Sequence, residues 1–133
     1  MSWWDIVLGK VNVGNVLNTP GKGMEALNAR IFTIGQKNST IMYVRSGKST
    51  IPLEKKRFDT IEEAFQQNPK LYLFVAALRD VPALPGSADE LIRKAMGSEL
   101  ATGNYVCSML EHCGLVKYEM RGTKKVIVLP KMS

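Results

Sequence analysis

The sequence predicts an α+β protein, on three observations. Between Ala29 and Leu53, three short runs rich in β-branched and aromatic residues are separated by glycine-containing turns, which is a strand signature. Further on, apolar residues recur at helical spacing. From Lys117 to Leu129 alternation returns, broken by Arg121-Gly122-Thr123-Lys124. At 133 residues, with 45% hydrophobic and 23% charged, the chain has a globular composition. Its length suits one ordinary domain or two very small ones sharing a core. The division expected here is a meander and helix over 1–68 and a second unit over 69–133, packed as one compact body.

The formal charge of +6 favours anionic partners, nucleic acid above all. Residues 1–68 and 69–133 each carry nine basic and six acidic side chains, so the excess is not a tail. Local clustering matters more. One cluster is Arg45, Lys48, Lys55, Lys56 and Arg57; the other is Lys117, Arg121, Lys124, Lys125 and Lys131. No apolar run is long enough to cross a bilayer, so no membrane partner is expected. MSWWDIVLGK lacks the layout of a signal peptide, and two cysteines without an export signal fit reduced thiols in a cytoplasmic protein.

Ser2 followed by Trp3, Trp4, Ile6, Val7 and Leu8 reads as a short capped helix or an apolar arm. Its tryptophans are expected to dock on the body, with base stacking or partner binding as the sharper alternative. Asn12–Gly23 is turn chemistry and reads as a surface loop. Ala29–Ile34, Ser39–Arg45 and Thr50–Leu53 form the three-stranded antiparallel meander. Gly47-Lys48-Ser49 is not a phosphate-binding loop. Met42 stands where its first glycine belongs, and Pro52 interrupts the helix that should follow.

A helix is expected from Asp59/Thr60, with Thr60 and Glu63 as a capping box, ending at Asn68-Pro69. Leu71, Phe74, Val75 and Leu78 suggest a second over Lys70–Asp80. Ser87 and Glu90 cap a third, stopped by Gly97; Thr102 caps a fourth, stopped by Gly114. In that last helix Val106, Met109, Leu110 and Cys113 make the core face. Asn104, Tyr105, Ser108, Glu111 and His112 are left pointing outward.

Three helices followed by a hairpin resemble the winged helix-turn-helix superfamily. The residues that carry the likeness are Ser87–Gly97, Thr102–Cys113, Gly114-Leu115-Val116 and Lys117–Leu129. The resemblance implies a small DNA-binding protein, regulatory or accessory and non-catalytic, acting on double-stranded DNA. Asn104, Tyr105 and Ser108 would supply base readout, and Lys117, Arg121, Lys124 and Lys125 phosphate contacts. The outward helix face has no Arg or Lys and carries Glu111, so the expected contacts are led by the hairpin. The alternative is a protein-interaction or oligomerisation module, including a homodimer, on the same scaffold. Cys107, His112 and Cys113 lack zinc-ligand spacing, so neither metal nor cofactor is expected. An enzyme would need convergent polar groups around His112 or Lys48.

Overall fold

The computed structural model describes residues 1–75 and 83–130. The chain opens with α1 (Trp3–Lys10), capped by Ser2 and Asp5 in a reciprocal box. A four-stranded antiparallel sheet follows in the order β1 (Val16–Asn18), β2 (Ile31–Lys37), β3 (Ile41–Ser46), β4 (Ser49–Glu54). The meander is therefore present with one strand more than expected. Val16-Leu17-Asn18 lies within the stretch read as a loop, yet it pairs with Ile31–Thr33 and buries Leu17.

α2 (Lys55–Gln67) begins directly after β4, earlier than the capping-box pattern suggested. Thr60 lies inside it and donates its hydroxyl to the Lys56 carbonyl at 2.7 Å, so it caps nothing. Phe58, Ile61 and Phe65 form its buried face. The expected helix over Lys70–Asp80 is corrected where it is described. Leu73–Phe74 is β5, a short strand pairing with Val126 and Ile127. Residues 76–80, with Leu78, lie outside the described residues. The period here is two rather than 3.6, since Leu73 and Val75 are buried and Tyr72 is exposed.

α3 (Ala88–Met96) starts at Ser87, whose hydroxyl accepts from the Glu90 amide at 3.0 Å. The Glu90 carboxylate reaches the Gly86 amide instead of closing the box on Ser87. Gly97 stops the helix in the left-handed region, at φ 61°. α4 (Gly103–His112) leads through Gly114 into the hairpin β6 (Lys117–Arg121) and β7 (Lys124–Val128). With β5 these make a second antiparallel sheet in the order β5-β7-β6.

The start of α4 is organised by α3. Thr102 stands at the N-cap position but makes no capping bond. The buried Asp89 carboxylate does so from α3, accepting from the Thr102 and Gly103 amides, each at 3.2 Å. Gly103 makes this approach possible, because a Cβ there would lie 2.8 Å from the Asp89 Cβ. Asp89 also pairs with Arg93 at 2.8 Å, in an ion pair without hydrogen-bond alignment.

One apolar cluster runs through both halves of the chain, from Trp4 and Phe32 through Phe58 and Ile92 to Met109 and Ile127. Trp4 is fully buried against Phe58, and its indole N–H donates to the Ser39 carbonyl at 2.9 Å.

Candidate functional site

α4 stands at the junction of the two halves. Its core face holds Val106, Met109 and Leu110, all fully buried, together with Cys113. The face expected to look outward is also largely covered. The Tyr105 ring packs edge-on against Phe32 of β2, with centroids 5.1 Å apart. Ser108 is buried and donates its hydroxyl to the Asn18 carbonyl of β1. This is a correction: Tyr105 and Ser108 serve the packing of α4 on the first sheet and do not form an open reading face. Asn104 is half-buried, and its amide oxygen accepts from the Tyr105 backbone N–H at 3.0 Å. His112 is exposed.

Lys125 is corrected in the same way. It is 6% exposed, donates its ammonium to the Pro20 carbonyl at 2.6 Å and lies over the Tyr118 ring. Burial holds its pKa below the usual lysine value, opposed by Glu111. Burial also raises Tyr118, with smaller contributions from Cys107 and Glu111. Ser108, Glu111, His112, Tyr118 and Lys125 line a cleft of about 350 Å³ against Val16–Pro20. Within it, the Ser108 hydroxyl and the Lys125 ammonium are both engaged by main-chain carbonyls.

Of the other basic residues here, Arg121 and Lys124 are exposed and Lys117 is partly exposed, while Lys131 lies outside the described residues. By strand alternation and register, Lys117, Glu119, Arg121 and Lys124 share the outer face of the second sheet with Val126 and Val128, which are buried, and Phe74 joins them across β5–β7. Tyr72 falls on the same side, two residues before Phe74. The Arg121 guanidinium lies 4.6 Å from the Tyr72 ring centroid, and the Lys124 ammonium lies 5.3 Å from that of Phe74. Both distances are within cation–π range. Glu119 pairs with Lys117 at 3.3 Å and touches Arg121 at 4.0 Å. Among the described residues, three cations against one carboxylate leave this face with an excess of two positive charges. The sequence hides Tyr72 and Phe74, because the apolar spacing of their segment predicts a helix where the structure has β5.

The Arg45–Arg57 cluster does not assemble. Lys48 sits in the β3–β4 turn and Lys55 at the start of α2, past the far end of β4 and roughly 20 Å of extended chain away. Lys55 pairs with Asp59 at 2.6 Å, and this hydrogen bond raises its pKa. Arg57 is buried between Glu54 and Thr102. Arg45, Lys48 and Lys56 are exposed, each on a different element or turn.

Cys107 is fully buried and Cys113 nearly so; burial is the main cause that raises both thiols. Among the described residues no three His, Cys, Asp or Glu side chains are grouped to hold a metal, and no helix is long and apolar enough to cross a membrane. The chain matches no family model, and no curated protein or solved structure is significantly similar to it.

Proposed function

We propose that the chain is a small, non-catalytic nucleic-acid-binding protein that holds phosphates on the outer face of its hairpin sheet. The observation that carries this reading is the accessible set of Arg121, Lys124 and Lys117 around Tyr72 and Phe74. Such a surface attracts a polyanion from solution and contacts it without regard to sequence. The winged-helix reading is supported by the order α2, α3, α4 and then the β6–β7 hairpin, once α2 replaces the expected helix over Lys70–Asp80. In this scaffold α4 acts as a structural spine, and the hairpin sheet takes the contacts.

The test is fluorescence anisotropy over a salt series with labelled oligonucleotides. For wild type, log affinity falls linearly with log salt; Arg121→Ala with Lys124→Ala makes the slope shallower by about two. No binding at low salt, or a slope indifferent to the double substitution, overturns the reading.

A second reading, a protein-interaction module, is favoured by Val13, Val16, Met24, Leu27 and Ile31, all large, apolar and exposed on or beside β1 and β2. It expects self-association in a concentration series by light scattering, abolished by Ile31→Lys. A monomer at every concentration removes the homodimer.

A further inference from the structure

Resting on that reading of the hairpin sheet, we infer that its ligand is single-stranded nucleic acid, with an unpaired base stacked at Tyr72 and its flanking phosphates on Arg121 and Lys124. The first argument is what the surface displays. Tyr72 is 43% exposed, whereas Trp4, Phe32, Phe58 and Phe65 are buried almost completely in the core. Its ring and that of Phe74 meet edge to face with centroids 6.0 Å apart, and each has a cation over it. Aromatic and guanidinium planes beside accessible cations form the arrangement on which successive bases stack while the backbone follows the charge. A duplex presents phosphates and groove edges and keeps its base faces stacked inside, so it would leave these rings unused.

The second argument is what the surface lacks. Reading a duplex from the major groove needs a helix or ribbon with groups suited to base edges. α4 cannot be that helix, because Tyr105 lies against Phe32 and Ser108 is bonded to Asn18. On the ribbon, the centre of the outer face pairs Glu119, a carboxylate already matched to Lys117, with Val126, which is fully buried and presents nothing to a base edge. The face therefore offers stacking and charge, and little to tell one base pair from another.

The experiment compares the full chain binding a labelled thymidine oligonucleotide of about 15 nucleotides and a duplex of the same length, at about 50 to about 200 mM salt. Single strand is expected to bind about tenfold tighter or better. Tyr72→Leu, which keeps apolar bulk and removes the π face, is expected to weaken single-strand binding by about tenfold while duplex affinity stays within about twofold. Tyr72→Phe restores the wild-type value. Equal affinity for the two forms, or Tyr72→Leu acting equally on both or on neither, overturns the inference and leaves the proposed function standing. Failure of both forms to bind at the lowest salt removes the proposed function and this inference together.

Discussion

The Arg57 guanidinium donates to the Thr102 hydroxyl at 3.0 Å across 45 residues of sequence, in a buried contact joining α2 to the start of α4. The same guanidinium takes the Glu54 carboxylate at 2.8 Å. A residue in a basic run and a residue at a helix start thus form one internal link. Arg57→Ala removes a buried charge's hydrogen bonds and leaves Glu54 and Thr102 without it. A loss of about 3 kcal/mol is expected in urea unfolding, with oligonucleotide affinity unchanged in the folded fraction. A loss under about 0.5 kcal/mol would mean the link contributes little.

Asp89 holds the beginning of α4 from α3, and Gly103 lets it approach. Gly103→Ala places a methyl group inside contact distance of the Asp89 backbone and Cβ. It should destabilise by about 2 kcal/mol or more, although alanine is the better helix former. Thermal unfolding measures this, and a neutral or stabilising result would contradict the packing described.

The buried thiols predict alkaline behaviour. Cys107 has an ordinary pKa of 9.0 that the fold raises strongly, chiefly by burial. Below that value both states keep the proton and no pH dependence arises. Above it the unfolded chain ionises while the folded one does not, so stability falls by about 1.4 kcal/mol per pH unit per thiol. Cys113 and, at higher pH, Tyr118 act in the same direction. Lys125 works oppositely: its pKa is lowered from 10.5, so stability gains as pH rises through the window below that value. Denaturant midpoints from neutral pH to about pH 10 should show a shallower decline for Cys107→Ala than for wild type. Parallel curves would dismiss the thiol as the cause.

Ser108 and Lys125 were expected to meet nucleic acid, and in the structure they meet Asn18 and Pro20. Ser108→Ala strands a carbonyl and should cost about 1–2 kcal/mol; Lys125→Met keeps the apolar stem and should cost no more than about 2 kcal/mol. Neither substitution should change the salt slope of oligonucleotide binding. If Lys125→Met flattens that slope as Arg121→Ala does, its ammonium belongs to the binding surface.

Sequence patterning read best where signals close together in the chain decide the structure. The meander followed from β-branched runs and glycine turns, α3 from Ser87 and Gly97, and the hairpin from alternation around Gly122. It read worst where partners are distant in sequence. Val16-Leu17-Asn18 looked like a loop because asparagine and glycine surround it; pairing with Phe32 makes it a strand. Tyr72–Val75 satisfies helical and alternating periods at once, and pairing with Val126 and Ile127 selects the second. Charged side chains misled for a related reason. Nothing local distinguishes Arg57 from Lys56, or Lys125 from Lys124, yet one of each pair is buried and the other exposed. The candidate site was therefore legible in Arg121 and Lys124 and hidden in Tyr72 and Phe74.

The seating of α4 on the first sheet also bears on how the chain folds as it is made. Ser108 meets Asn18 across 90 residues of sequence, and Lys125 meets Pro20 across 105. During synthesis the four strands emerge before α4, so Leu17 and Phe32 then lack the helix that packs over their face of the sheet. Closing so long a loop is entropically expensive and comes last. The nascent chain should therefore pass through a stage with an open β1 flank. That stage is exposed to chaperones and to pairing with other chains, and ends when α4 arrives.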